Sequence, residues 1–500
     1  MAKRNGGIIG PSNVPTGQYG GTASGVWRLR DAFNYIKAGL WPVFGTYPVG
    51  NSLRFNSGSS DYLSKTFSAS NRKTFTISFW LKRSALTANQ GVISGYQDGS
   101  NLSSIYLPSA NSIQYYNYVN AGFPCNVSSS ALFRDVSAWY HVVLVYDSTQ
   151  ATSTDRVKLY VNGSQSTLSG TFPSLNDDSW INSANPITIG KEGPYSNYLS
   201  AYLADFYSID GQALTPSSFG QTDSATGIWT PSPYTGTFGT NGFFLKFANS
   251  AALGTDSSGN GNTFTVNNLT SIDQSTDTPT NNFSTMNPLR QPTGNPATLT
   301  NGNLTVATNT SAGYYGGRST IGVSSGKWYF EAKLVSYDTL AGMIGIGNAD
   351  NYEPEMFSGG QGAFAGYSAT GWSYNVAGSV TNNNTDTAYG NSFAAGDILS
   401  VALDCDNAKL YFGKNGTWQN SGVPTSGATG TGAISITSGL TYLFAVDDSG
   451  STRFCVWDCN FGSPPYSANS YTDGAGYGNF SYAVPSGYYS LNTKNLANFG

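Results

Sequence analysis

The chain has 500 residues, 39 % of them hydrophobic and 10 % charged, and its formal net charge is 24 − 28 = −4. Its basic residues are not clustered, so nucleic-acid binding has no electrostatic footprint, and no apolar run reaches the roughly 18 residues that span a bilayer. Gly is frequent (60 residues) and Glu is confined to Glu192, Glu331, Glu353 and Glu355, which disfavours helix; Tyr (33) and Phe (27) supply packed cores, which excludes a disordered chain.

Residues 1–23 are rich in Gly, Pro, Ser and Asn around a short apolar island, Ile8-Ile9, and read as an extended arm. The start of the chain is basic but has no long apolar segment, so no signal peptide is expected. Ser24 can cap a helix to about Ala38 with Leu29, Phe33, Ile36 and Leu40 on one side, Gly39 as a stop and Pro42 after it. This is the only substantial helix expected. It cannot bury its apolar face alone, so it docks on its own chain or on a partner. In the second case residues 1–48 are an anchor, with Ile8, Ile9, Trp27, Leu29, Phe33, Ile36 and Trp41 as the anchoring side chains.

From Asn51 the pattern is one of short strands: Leu53 and Phe55, Tyr62-Leu63, then Phe75, Ile77, Phe79 and Leu81 in strict alternation. Trp139–Tyr146 is an apolar run with one polar member, His141, and fits a strand covered on both faces. Val157–Val161 alternates cleanly, and Asn162-Gly163 closes it with a dipeptide that accepts positive φ at both corners of a tight hairpin. Ile398–Leu403, Lys409–Phe412 and Asn415-Gly416 repeat the design about two hundred and fifty residues later. The expected fold is all-β: two antiparallel β-sandwich (jelly-roll) domains in tandem, preceded by the arm and one short helix. The expected divisions are 1–48, 49–225, a connector 226–295 with room for extra strands, and 296–500.

Residues 51 to about 220, in the order S-L-x-F, Y-L, F-T-I-S-F-W, W-Y-H-V-V, L-Y-V-N-G, I-T-I-G, A-D-F and Q-A-L-T, resemble the laminin-G or concanavalin-A-like jelly roll. That resemblance implies a sugar- or protein-binding module. Some relatives are glucanases, but a glycosidase needs two carboxylates across the scissile bond, and the only Glu of this stretch is Glu192 in a Gly/Pro-rich loop. The series GKWYFEAKL, IGIGN, GDILSVALDCDNAKLYFGKNGTW and YLFAV resembles the SPRY (B30.2) domain over roughly 296–490, which implies partner binding through loops and no catalytic set. Phe454–Phe461 departs from its usual pattern. The phrases NGGIIGPSNVPT, GVWRLRDAFNYIKAGLWP and DTPTNNF with MNPL, together with the domain order, resemble structural proteins of marine bacteriophages, especially those of cyanobacteria and related hosts. That implies a virion appendage assembled in the host cytoplasm. Its N-terminal part would hold other tail or capsid proteins, its β domains would bind host glycan or protein, and it would be a homo-oligomer, with trimers common among such fibres. The alternative is capsid decoration or tail cementing with an architectural role.

No enzymatic activity is expected. His141, the sole histidine, lies in an apolar strand without a nearby nucleophile and is expected packed and hydrogen-bonded. Cys125, Cys405, Cys455 and Cys459 lack metal or disulfide spacing and are expected as free thiols. The loop Asp256–Asn262 resembles a turn that can hold calcium in laminin-G-like domains. Its one carboxylate, Asp256, is equally suited to a plain turn, and no other cofactor is expected. Aromatic residues in polar surroundings are the ligand-binding candidates, because flat rings stack on sugars and anchor partners at low entropic cost: Tyr115, Tyr116, Tyr118, Trp180, Tyr195, Tyr198, Tyr352, Trp372, Tyr374 and Trp418.

Overall fold

The computed structural model describes residues 47–224, 226–291, 296–308, 316–338, 341–350, 364–448 and 453–500. It also describes Arg30 and Asn34, both helical and exposed within the expected helix. The fold is two β-sandwiches, as the alternation requires. In the first, one sheet runs in the order Ser164–Ser166, Val157–Val161, Tyr140–Asp147, Thr74–Arg83, Ala201–Asp210, Ser52–Phe55 and Gln274–Ser275. The facing sheet runs Leu168–Thr171, Gly122–Ser129, Gln114–Val119, Asn101–Leu107, Gln90–Asp98, Pro186–Ile189, Tyr62–Thr66 and Thr265–Asn267. Phe55, Phe75, Ile77, Leu81, Val142 and Leu144 meet Ile93, Ile105, Val127 and Ile189 between them.

Both hairpin dipeptides turn as their residues demand. Asn162 and Gly163 have φ of 48° and 79°, and Asn415 and Gly416 of 49° and 80°. Strand Tyr140–Asp147 is covered on both sides: Val142, Leu144 and Tyr146 face the inter-sheet core, while Val143 and Val145 pack under Tyr207, Phe219 and Phe244. His141 is buried on this second side. Its Nδ1 accepts from Trp229 Nε1 at 2.9 Å, which places the ring proton on Nε2, 2.9 Å from Ser78 Oγ.

Three short strands within residues 243–275 belong to this sandwich. Phe243–Leu245 pairs with Phe206–Ser208, Thr265–Asn267 with Tyr62–Ser64, and Gln274–Ser275 with Ser52–Leu53. Strand Ala201–Asp210 therefore changes neighbours midway. It does so at a bulge where Asp205 takes a φ of 41°, a conformation Asp tolerates better than most residues.

The second sandwich has one sheet ordered Thr298–Thr300, Thr305–Ala307, Cys455–Asn460, Lys327–Tyr337, Ile398–Asp404, Lys409–Lys414 and Thr417–Trp418. The other runs Gly316–Arg318, Tyr442–Asp447, Met343–Asn348, Trp372–Asn375, Ser379–Asn382 and Thr385–Ala388. Trp328, Phe330, Ala332 and Leu334 point into its core, as their spacing requires. The atypical stretch around Cys455 is a central strand, and the last strand, Tyr489–Ser490, adds parallel to Trp328-Tyr329. One short helix was not anticipated at the other end of the chain. Thr493–Phe499 is helical, and the Asn492 side chain caps it by accepting from Asn495 N. All four cysteines are free; three are buried and Cys405 is partly so.

The sandwiches are joined by buried polar contacts rather than by a loose linker. Arg54 of the first donates to Pro464 O of the second at 3.3 Å, and Tyr202 donates to Gly302 O at 3.0 Å. Segment 277–283 lies between them. Lys82 Nζ donates to Asp277 Oδ2, Asn282 Oδ1 and Phe283 O at 2.7, 2.8 and 2.9 Å. Asp277 Oδ1 accepts from Trp139 Nε1 and Phe283 N. An ammonium has three protons to place, and each finds an acceptor, which is the condition for burying it at low cost.

Candidate functional site

Strand Gln114–Val119 sends Tyr115 inward and Tyr116 and Tyr118 outward, as a two-residue period requires. On that outer face Leu102, Tyr106 and Tyr116 form a buried cluster, with Tyr96 and Tyr118 half-buried beside it. Phe123, from the next strand, meets Tyr116 edge-on at 5.7 Å and Tyr118 at 4.6 Å between ring centroids. The loop after Ile189 folds back over the face. It approaches so closely that a Cβ at Gly91 would lie 2.2 Å from Glu192 N, which is why glycine stands there. The loop brings Glu192 under the rings, where its carboxylate accepts from Tyr116 Oη and Asn197 Nδ2. Tyr195 is held over the face by its hydroxyl, which donates to Gly99 O.

Phe123 at 52 % exposure and Tyr195 at 40 % form the open part of this face, with Tyr118 near both. Burial raises the Glu192 carboxyl above its ordinary value, against the donations from Tyr116 and Asn197. Burial first, and the Glu192 charge second, push the Tyr106 hydroxyl up to about 12. Burial likewise raises Tyr195, with further contributions from Tyr118, Glu192 and Asp98. These phenols stay protonated at neutral pH. The surface offers flat rings, and its carboxylates Glu192 and Asp98 are already hydrogen-bonded, Asp98 to Ser100 N and Asn101 Nδ2.

Residues 57–219, which hold this face, match the family model described as the concanavalin A-like lectin/glucanases superfamily, and residues 327–472 match the SPRY domain. The chain carries a lectin-like domain and a SPRY domain. Among solved structures it is similar to the SPRY domain of human HERC1 (16 % identity, 35 % of this chain and 96 % of that one, TM-score 0.26). It is similar also to the SAP-like pentraxin of Limulus polyphemus (19 %, 34 % and 80 %, TM-score 0.26). A third is mouse laminin alpha1 chain, domains LG4-5 (12 %, 83 % and 89 %, TM-score 0.29). At such identities and TM-scores these likenesses carry no functional inference. No curated protein matches the chain.

Within the lectin-like domain the structure gathers Tyr116, Tyr118 and Tyr195 on one surface. Tyr198 lies apart, with Lys191 Nζ 5.4 Å from its ring and 5.0 Å from that of Tyr62. Trp180 is half-buried at another edge, faced by the Arg72 guanidinium at 5.1 Å. Tyr115 is corrected: it is buried and hydrogen-bonded to Asn117 and Ser179, because strand parity turns it inward. In the SPRY domain Trp372 and Tyr374 are corrected likewise, since both lie in the inter-sheet core. Trp418 is half-buried on the outside of the larger sheet. Tyr352 and the anchoring set Ile8, Ile9, Trp27, Leu29, Phe33, Ile36 and Trp41 lie outside the described residues. Asp256 is spent on a turn: Oδ1 accepts from Phe244 N and Ser258 N, and Oδ2 from Ser258 Oγ and Asn262 N. Donors converge on both oxygens, which is the arrangement of a plain turn and the reverse of a calcium shell of acceptors. Phe123 and Tyr96 were not singled out from sequence; alternation would have placed Tyr96 on the outer face, but it sets Phe123 with Cys125 and Val127, and only a register shift between Asn117 and Val119 brings Phe123 beside Tyr116 and Tyr118.

Proposed function

We propose that this chain is a structural protein of a bacteriophage virion, an appendage subunit that binds host surface glycan through the aromatic face of its lectin-like domain. The observation that carries the glycan reading is the open group Phe123, Tyr118 and Tyr195. Flat rings match the apolar faces of sugars, and the Tyr118 hydroxyl supplies a directional polar group. Binding of this kind needs no catalytic group, and repeated copies raise weak single-site affinity through avidity. The virion reading rests on the sequence resemblance, with residues 1–48 as the anchor on tail or capsid and the sandwiches facing the host.

An architectural role, decoration of a capsid or cementing of a tail, is favoured by one observation: the buried hydrogen bonds that lock the sandwiches together suit a spacer of fixed shape. A glycan array separates the two readings. The purified chain is expected to bind a subset of glycans, and Phe123→Ser with Tyr118→Ala is expected to lose at least some of those spots. An empty array for the wild-type chain would favour the architectural role.

A further inference from the structure

The SPRY domain has a cleft of about 420 Å³ on the outer face of its larger sheet, within the size range of small-molecule sites. Tyr329, Ser400 and the hairpin that carries Trp418 form its floor, and segment 469–483 forms the opposite wall. Trp418 meets the Tyr329 ring at 6.4 Å, edge-on. Tyr471, on the wall, is 47 % exposed, and Tyr482 is half-buried.

The wall is not a loose tail. Glu331 is fully buried and accepts from Ser481 N at 2.9 Å, Tyr482 N at 3.0 Å, Tyr329 Oη at 2.7 Å and Asn460 Nδ2 at 3.3 Å. Asn469 Nδ2 donates to Ser481 O at 2.8 Å, and Tyr471 and Phe480 exchange both backbone hydrogen bonds. A cleft whose two sides are fixed by a saturated carboxylate is pre-organised, so a ligand pays little to order it.

We propose that this cleft is a second binding site, specific for a neutral saccharide. Trp418, Tyr471 and Tyr482 offer ring surface for stacking, while Asn469 and Ser400 add polar groups to the lining. No lining side chain is cationic, and the Glu331 carboxylate lies behind the floor, so sulfated or carboxylated sugars gain no partner there. Glu331 has its acceptor positions filled by four donors, so it cannot serve a cationic ligand directly. The site lies in a different domain from the Phe123–Tyr118–Tyr195 face and stands independently of it.

The test uses the full chain with that first face disabled by Tyr118→Ala and Phe123→Ser. It is applied to an array of neutral, uronic-acid and sulfated oligosaccharides, with tetramethylammonium and decaproline titrated separately. The expected result is retained binding of neutral oligosaccharides. Adding Tyr471→Ala is expected to weaken it about tenfold, as one lost stacking contact would, and Tyr471→Phe to leave it near the parent value. The proposal is overturned if the disabled chain binds no neutral oligosaccharide, or if Tyr471→Ala leaves binding unchanged. It is overturned equally if only anionic sugars, tetramethylammonium or decaproline bind. Loss of glycan by the first-face variant alone, with the cleft intact, would confine saccharide binding to the lectin-like domain.

Discussion

Lys82 and Asp277 stand 195 residues apart in sequence and 2.7 Å apart in the fold, with 1 % and 2 % of their side chains exposed. The pair ties a central strand of the first sandwich to the segment that leads into the second. Removing one partner leaves the other charge buried without compensation. Asp277→Ala and Lys82→Met are each expected to cost about 3–5 kcal/mol in urea unfolding. The double variant is expected to cost clearly less than the sum, and a double-mutant cycle measures the difference.

Two buried groups impose opposite pH dependences on stability. Burial lowers His141 from 6.5 to about 3 in the fold. Below pH 6.5 the unfolded chain therefore takes up a proton that the folded chain refuses, so stability is full above 6.5 and is lost as pH falls toward 3. The slope is at most about 1.4 kcal/mol per pH unit. Burial raises Asp205 from 3.8 to about 7, partly offset by Lys246. Between those values the unfolded chain releases a proton that the folded chain keeps, so this contribution is full below 3.8 and is lost as pH rises through 7. Asp205→Asn, which suits the same positive φ, is expected to stabilise at pH 7.5 by about 1–2 kcal/mol and to show no gain at pH 4. His141→Gln is expected to flatten the fall between pH 6.5 and 5. Thermal unfolding of both variants across pH 4–8 checks each sign.

Metal should not matter at the Asp256 loop. Added calcium or a chelator is expected to leave the melting temperature of the chain unchanged. Asp256→Ala is expected to destabilise it by about 1–3 kcal/mol, because four donors lose their acceptor. A calcium-dependent rise in melting temperature that disappears in the variant would refute this.

The hairpin at Asn162-Gly163 supports more than its own strands. A Cβ on Gly163 would lie 2.5 Å from the Trp229 ring, and φ there is already 79°. Trp229 in turn donates to His141. Gly163→Ala is expected to cost more than about 1 kcal/mol. Trp229→Phe, which leaves His141 Nδ1 buried without its donor, is expected to cost about 1–3 kcal/mol. Denaturant midpoints of the two variants test both.

Much of this fold was legible because strand alternation and hairpin dipeptides act locally. Phe75, Ile77, Phe79 and Leu81 declare an inner face without reference to anything distant, and Asn415-Gly416 declares its own turn. Pairing between distant segments does not. Cys455–Asn460 reads as an odd stretch until Thr305–Ala307 and Lys327–Tyr337 flank it. Phe243–Leu245 and Gln274–Ser275 are too short to show a period, so residues that complete the first sandwich read as a connector. Thr493–Phe499 has little apolar spacing, and its clearest signal is the cap at Asn492. Among the candidate aromatics, Tyr115 and Tyr116 are adjacent in a strand and cannot both face outward. Their neighbours Ile113, Cys125 and Val127 carried the parity that separates them. Trp418 could be singled out as an aromatic in polar surroundings, but its partners Tyr471 and Tyr482 come from a distant segment that Glu331 holds in place.

Segment 277–283 also governs how the molecule carries tension. Val49 and Thr280 exchange hydrogen bonds through Thr280 Oγ1 at 3.2 and 3.1 Å, and Asn282 and Thr493 do so at 3.0 and 2.9 Å. A pull applied between residues 49 and 493 thus has a short route through Thr280 and Asn282, in parallel with the longer one through the strands. Sharing the load among those four bonds lowers the force that each sheet must carry.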